Sequence, residues 1–295
     1  MIECAWPVRY YWMEVSPGSV QMRASKYDPT KPAPKPSRVG GVDEASGDGQ
    51  TRGRIRGFSS DSRERLSRRA VSLRWEDAVE AGGIGMVTLT YPEVFPTDGQ
   101  VAKAHLKRLY ERWRSRYGMP RGMWKLEFQE RGAPHFHCFV GLPESEDDLR
   151  AWLLRQWYEV VGSGDERHLF HGVDISRWRW GSLGENRARV GGYFARHGAK
   201  GWKSYQNRVP EGYVSPGQFW GVWGLKPAVD VIPLAWDEYV QHRRLTWALD
   251  GKNRERKVRK GGGDSGAFSL SMDGHRTGRR WVDALRPSGD GQEQA

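Results

Sequence analysis

The histidines His135 and His137, in the sequence HFHCFV, have the spacing of a catalytic or metal-binding pair. Alternate side chains of a β-strand share one face, so both imidazoles would point the same way. Residues 123–129 are also strand-like, and residues 130–134 have the composition of a turn between two strands. The sequence therefore predicts a β-hairpin that presents both histidines on one face.

A carboxylate on the first strand of this hairpin would complete a metal site. Glu127, with Gln129 as the alternative, would lie beside the two histidines. Two imidazoles and a carboxylate oxygen suit a divalent ion that keeps positions open for substrate, and Mg²⁺ or Mn²⁺ fits such ligands in phosphate chemistry. Zinc accepts the same ligand types. The simpler alternative is a histidine pair on the polar face of a strand that binds no metal.

A tyrosine with basic neighbours is the candidate nucleophile. If residues 186–200 form a helix, Tyr193, Arg196, His197 and Lys200 lie at i, i+3, i+4 and i+7, on one helix face. A phenol with its ordinary pKa of about 10 is a poor nucleophile at neutral pH, and nearby positive charge or a base would activate it. A tyrosine that only packs can have the same neighbours, so the spacing leaves both interpretations open.

Charge and composition indicate a polyanionic partner. The net charge is +11, the isoelectric point is about 9.7, and the chain contains 15 Trp and 11 Tyr. Basic side chains bind phosphates and flat aromatic rings stack on bases, so nucleic acid is the favoured partner. The alternative is that the aromatic residues pack in the core and that the charge serves solubility.

Cysteine content and hydropathy limit the cellular setting that we expect. With only Cys4 and Cys138, neither a disulfide framework nor a four-cysteine zinc site can form. No run of about 18 apolar residues occurs, and the N-terminus lacks a signal-peptide pattern. We therefore expect a cytoplasmic protein without a membrane partner.

The hydrophobic pattern predicts one folded domain over residues 80–226. Its expected elements are a strand at 84–91, a helix at 101–117, the hairpin, a helix at 146–161, a strand at 170–178, a helix at 186–200 and an edge strand at 218–224. This order is that of a split βαβ unit. The predicted fold is α+β and ferredoxin-like: an antiparallel sheet with helices on one face and with its first and third strands central.

The flanking segments are expected to lack a core of their own. Residues 1–79 are basic and rich in Pro, Gly and Ser, which predicts a largely disordered arm. Residues 227–249 are expected to form a short helical extension. Residues 250–295 are again basic and glycine-rich, which predicts a second disordered tail.

Three sequence motifs together resemble the HUH endonuclease superfamily, and within it the rolling-circle replication initiator (Rep) proteins of plasmids and single-stranded DNA phages. VTLTYP at 87–92 resembles the first family motif, HFHCFV at 135–140 the His-hydrophobic-His motif, and YFAR at 193–196 the Tyr-x-x-Lys motif. The motifs occur in family order. The resemblance covers residues 84–225, about half of the chain.

The resemblance also has departures. Arg196 stands where the family usually has lysine, which keeps the positive charge but replaces a compact ammonium with a planar guanidinium; Lys200 could take over that role. His197 stands where two-tyrosine relatives carry a second tyrosine, so the chain is similar to the single-tyrosine enzymes. Tyr205 is a weaker candidate for a second nucleophile.

The resemblance implies a metal-dependent DNA endonuclease and strand transferase. His135, His137 and Glu127 would hold the metal. Tyr193 would attack the scissile phosphate, giving a 5′-phosphotyrosine link and a free 3′-OH. Arg196, His197 or Lys200, on the helix of the nucleophile, would steady the phosphate or the phenolate.

The implied partners are single-stranded DNA at a replication origin, a host DNA polymerase and a host helicase in a bacterial cell, because the chain contains no GxxxxGK[ST] helicase signature. One alternative is a mobilisation relaxase or a single-tyrosine transposase of the same fold. Another is a non-catalytic nucleic-acid-binding module. Such a module would carry stacking aromatics on its central strands, where this chain has Thr88, Thr90, His135 and His137.

Overall fold

The computed structural model describes residues 10–25, 55–78, 83–143, 146–178, 190, 193, 204–242, 268–270 and 273–286. The chain divides into two compact units. One is Gly49–Pro227, and the other combines Met1–Asp48 with Ala228–Ala295. Each unit contains one antiparallel sheet, which confirms the predicted α+β class.

In chain order, the regular elements are β1 (Tyr10–Ser16), β2 (Ser19–Ser25), α1 (Ser60–Ser72), β3 (Ile84–Thr90), α2 (Gly99–Tyr117), β4 (Gly122–Phe128), β5 (Pro134–Gly141), α3 (Glu146–Val161), α4 (Glu166–His171), β6 (Val173–Trp178), β7 (Trp220–Trp223), β8 (Asp230–Leu234), β9 (Phe268–Leu270) and α5 (Gly274–Leu285). Short 3₁₀ turns occur at Trp75–Ala78 and Ser204–Asn207. None of the described helices combines the length and apolar character that crossing a membrane requires.

The sheet of the unit Gly49–Pro227 has the strand order β6-β3-β5-β4-β7. Every neighbouring pair is antiparallel. β3 and β5, the first and third strands of this sheet in the chain, lie inside it as the sequence predicted. The strand that carries HFH is therefore held by hydrogen bonds on both of its edges, and its side-chain directions are fixed by its neighbours.

Helices α2 and α3 form a layer beside this sheet, and α2 packs on its apolar face. Leu109 and Trp113 of α2 line a small cavity together with Cys138 of β5. The ring of Trp113 meets Trp152 of α3 edge-on, with ring centroids 6.4 Å apart. Each such buried side chain contributes about 2 kcal/mol of transfer free energy. The apolar face therefore anchors the hairpin and leaves the histidine face for chemistry.

Helix α2 begins and ends where the local sequence favours it. The side chain of its N-cap residue, Asp98, accepts a hydrogen bond from the backbone N–H of Gln100 at 2.8 Å. The helix ends at Gly118, whose φ of 84° lies in the left-handed region that glycine adopts without strain.

The opposite, polar face of the sheet is covered as well. The indole N–H of Trp220 in β7 donates to the hydroxyl of Ser62 in α1 at 3.2 Å. The ring of Tyr193 lies 4.7 Å from that of Phe139 in β5, centroid to centroid. Helix α1 falls within residues 1–79, so the expectation of a largely disordered arm is wrong for that part of the chain.

The second unit corrects the expectation for both tails. Its sheet has the order β8-β1-β2-β9, so strands from the two ends of the chain pair with each other. Apolar residues alternate in β1 and β2 across a Pro17–Gly18 turn and pack with Leu234 and Tyr239 in a separate core. Strand β9 and helix α5 lie in the predicted tail 250–295. The segment 227–249 contributes β8, and only residues 236–242 of it are described as helix.

Two further differences concern the elements around the candidate site. The predicted strand at 170–178 is shorter, because α4 extends to His171 with Asp165 as its N-cap and Gly172 at its C-cap. In the predicted helix 186–200, residues 190 and 193 are described, and both are helical. Arg196, His197 and Lys200 lie outside the described residues.

Candidate functional site

The pairing of β4 with β5 brings Glu127 beside the two histidines. Glu127 lies directly opposite His135. Its Oε2 atom is 3.4 Å from Nε2 of His137, and the two imidazole centroids are 4.6 Å apart. Glu127 is fully buried, whereas 12% of the His137 side chain is exposed. The structure therefore places the three predicted metal ligands together on one face of the sheet.

Two threonines of β3 orient the histidines from the other side. The hydroxyl of Thr90 lies 3.2 Å from Nδ1 of His135, and the hydroxyl of Thr88 lies 3.3 Å from Nδ1 of His137. If Nδ1 carries the proton and donates it to the hydroxyl, Nε2 keeps its lone pair. A second hydrogen bond of this kind fixes the ring and the tautomer of a metal-binding histidine.

Lys125 is a site residue to which the sequence analysis gave no role. It lies directly opposite His137 in the strand pairing, and only 1% of its side chain is exposed. Its ammonium donates to Oε1 of Glu127 at 2.6 Å and lies 5.5 Å from the ring centroid of Phe58. Burial lowers the pKa of Lys125, and the charge of Glu127 opposes that shift. The signal in the sequence was the spacing Lys-Leu-Glu, which puts both charges on one face of a strand.

The protonation state of His135 suits metal binding. Burial, and then the positive charge of the neighbouring His137, lower its pKa to about 4. The carboxylate of Glu127 acts in the opposite direction but does not cancel the effect. His135 is therefore neutral at pH 7, and neutral imidazole is the form that ligates metal ions.

Tyr193 lies over this row of side chains. Its ring centroid is 5.8 Å from that of His137. Burial, and then the negative charge of Glu127, raise the pKa of Tyr193 above its ordinary value. The phenol is therefore protonated at neutral pH in this structure. Attack by its oxygen requires that a base or a nearby positive charge take up or stabilise what the lost proton leaves behind.

The two fallback residues lie elsewhere. The side-chain oxygen of Gln129 accepts a hydrogen bond from Arg131 at 3.0 Å, within the turn of the hairpin. Tyr205 belongs to the 3₁₀ turn Ser204–Asn207, next to β4. The structure records no contact of either residue with His135 or His137. Glu127 and Tyr193 are therefore the better placed members of each pair of candidates.

The donor set of Glu127, His135 and His137 fits a divalent ion in its chemistry, since it combines a carboxylate with two imidazoles. Within the described ranges, no three His, Cys, Asp or Glu side chains converge on one point as they stand. The salt bridge from Lys125 holds one oxygen of Glu127 in its present direction. Coordination by all three residues would require small side-chain rotations.

The region that contains the site is similar to proteins of replication. A family model for replication-associated proteins of the ORF2 type matches residues 84–200, which include every candidate ligand and Tyr193. The chain is 29% identical over 245 residues to a Xylella fastidiosa (strain 9a5c) protein named "Putative replication protein", a match that covers 81% of this chain and 73% of that protein. No solved structure is significantly similar to the chain.

Two further relatives match a shorter region. The chain is 28% identical over 174 residues to a replication-associated protein of Pseudomonas phage Pf3, covering 56% of this chain and 58% of that protein. It is 29% identical over 181 residues to a second "Putative replication protein", from Xylella fastidiosa strain Temecula1, covering 60% of this chain and 64% of that protein. The chain thus spans less than two thirds of these two relatives. Together the similarities support a role as a replication initiator.

Proposed function

We propose that this chain is a replication initiator that nicks and rejoins one DNA strand at an origin, with Tyr193 as its nucleophile. The observation that carries the proposal is the position of the Tyr193 ring, 5.8 Å from that of His137 and on the same face of the sheet as Glu127. The similarity of residues 84–200 to replication-associated proteins favours an initiator over a mobilisation relaxase or a transposase. It also makes DNA the expected substrate.

The roles of the site residues follow from their positions. His135, His137 and Glu127 would hold Mg²⁺ or Mn²⁺, which supplies positive charge to the scissile phosphate as a Lewis acid. Thr90 and Thr88 would keep the imidazoles in the orientation that leaves each Nε2 available. Lys125 would direct the carboxylate of Glu127, because its hydrogen bond to Oε1 leaves Oε2 as the oxygen nearer His137.

The proposed reaction is a transesterification. The phenolic oxygen of Tyr193 loses its proton and attacks phosphorus in line, so that a Tyr–O–P bond forms while the bond from phosphorus to the 3′ oxygen breaks. The 3′ oxygen gains a proton and becomes a free 3′-OH, which a host polymerase can extend. The link preserves the phosphodiester bond energy, and a later attack by a 3′-OH rejoins the strand without a nucleotide cofactor. A host helicase would supply the single strand.

Removal of metal tests this proposal. The purified chain, incubated with single-stranded DNA from the origin region of its own replicon and Mn²⁺, should give a protein–DNA adduct on a denaturing gel. Chelation of the metal with EDTA should lower adduct formation by at least about 100-fold, because uncompensated charge on the phosphate opposes attack. Restored adduct on re-addition of Mn²⁺ is the control. Equal adduct with and without EDTA would contradict a metal-assisted site.

Thr90→Val tests the orientation of His135. Valine keeps the shape of threonine but removes the hydroxyl that lies 3.2 Å from Nδ1. We expect Mn²⁺ affinity, measured by isothermal titration calorimetry, to fall about 10-fold or more, the usual effect of losing such a partner. Thr97→Val, which removes an exposed hydroxyl, is the matched control and should bind Mn²⁺ normally. Unchanged affinity in Thr90→Val would show that the hydroxyl does not position the ring.

A further inference from the structure

Helix α5, in the second unit, packs against its sheet with its backbone. A Cβ atom added at Gly274 would lie 2.0 Å from the carbonyl oxygen of Ser16, and one added at Gly278 would lie 2.6 Å from a methyl group of Val15. The two glycines are four residues apart and therefore share one helix face. Trp281 extends the same attachment, with its ring 4.3 Å from that of His242. This packing fixes which side of α5 faces away from the sheet.

The outward side of α5 is strongly basic. Arg276, Arg279 and Arg280 are exposed and lie at i, i+3 and i+4, on neighbouring positions of the helix surface. Asp283, one turn further on, is also exposed and reduces the net charge of this face.

These three arginines differ from the other cations of the unit. Arg23 pairs with Glu14 at 3.1 Å, and Arg286 pairs with Glu238 at 2.5 Å. Within the part of this unit that the structure describes, no ion pair involves Arg276, Arg279 or Arg280. Their charge is therefore available to an external anion.

We propose that this face of α5 is a docking surface for the phosphate backbone of duplex DNA. Guanidinium groups match phosphate oxygens in charge and in their forked geometry. Twelve residues of helix span about 18 Å, and the major groove of B-DNA admits a helix of this kind.

Duplex rather than single-stranded DNA is the expected occupant. Sites for single strands combine positive charge with aromatic rings on which bases stack. The outward face of α5 offers arginines and no stacking ring, because Trp281 packs against His242. The surface extends the proposed replication role, and it would add duplex binding to the strand chemistry proposed for Tyr193.

Salt-dependent binding tests the proposal without cleavage. Fluorescence anisotropy would follow the full chain on a labelled 30-base-pair duplex in EDTA, with salt varied from about 50 to 200 mM, the range over which phosphate contacts are lost. The triple variant Arg276→Gln, Arg279→Gln, Arg280→Gln should lower the slope of log affinity against log salt by about 2.7, or about 0.9 for each lost phosphate contact. Its affinity at about 100 mM salt should fall by more than about tenfold.

Matched variants and substrates make the result specific. Replacement of the same three residues by lysine should keep the slope, and Arg23→Gln, which removes a cation already neutralised by Glu14, should change it little. The glutamine variant should still form the adduct with single-stranded DNA, so loss of duplex binding and loss of nicking can be told apart. An unchanged slope, or a loss confined to single-stranded DNA, would overturn the proposal.

Discussion

Tyr193→Phe is expected to abolish the covalent protein–DNA adduct and to slow strand nicking by at least about 10³-fold, because it removes the attacking oxygen. The change keeps the aromatic ring, which lies 4.7 Å from that of Phe139 and 5.8 Å from that of His137. Packing should therefore be preserved, and affinity for single-stranded DNA should stay within about twofold, since phosphate contacts dominate that affinity. Single-turnover nicking with Mn²⁺ and anisotropy in EDTA measure the two quantities.

Tyr205→Phe is the matched control for this experiment. Tyr205 was the other candidate nucleophile, and it lies in a 3₁₀ turn without a recorded contact to the histidines. Its variant should nick at the normal rate and form the normal adduct. Full nicking by Tyr193→Phe would refute the assignment of the nucleophile. Loss of the adduct in Tyr205→Phe alone would transfer the role to that residue.

The elements that carry the site could be predicted because their signals are local. The alternation in HFHCFV and the turn before it define a hairpin without any knowledge of the rest of the chain. The spacing of Leu106, Leu109 and Trp113 likewise defines the buried face of α2, and all three are buried. Strands and helices of this kind depend on neighbours within a few residues, which a sequence displays directly.

Partners across the strands could not be predicted in the same way. The contacts of Thr90 with His135 and of Thr88 with His137 depend on the register of β3 against β5, residues about 45 positions apart in the chain. Periodicity shows which face a side chain takes, but it does not show which residue of another strand lies opposite. The polar partners of the histidines are set by that register.

The second sheet shows a different limit. The alternation around the Pro17–Gly18 turn is a hairpin signal, but the proline- and glycine-rich sequence that follows it dominated the interpretation of the whole arm. β1 also pairs with β8, more than 200 residues away, and together they enclose a core that neither end of the chain could form alone. Composition averages over a segment, whereas burial depends on contacts that only the fold supplies.

Lys125→Met is expected to lower the free energy of unfolding by about 3–5 kcal/mol, the usual cost of removing one partner from a buried ion pair. Lys125 and Glu127 are 1% and 0% exposed, and their charged atoms are 2.6 Å apart. Methionine fills a similar volume but leaves the carboxylate buried beside His137 without its ammonium. Urea or thermal unfolding at pH 7, in EDTA so that bound metal does not contribute, measures the effect.

The double variant Lys125→Met, Glu127→Gln separates loss of the ion pair from loss of packing. Removing both charges should recover much of the stability lost in the single variant, because no uncompensated buried charge remains. Lys107→Met is the matched surface control. Its pair with Glu111 has side chains 76% and 57% exposed, so the change should cost less than about 1 kcal/mol. If Lys125→Met and Lys107→Met had equal effects, the pair under the histidines would not be energetically buried. The proposed role of Lys125 in directing Glu127 would then lose its structural basis.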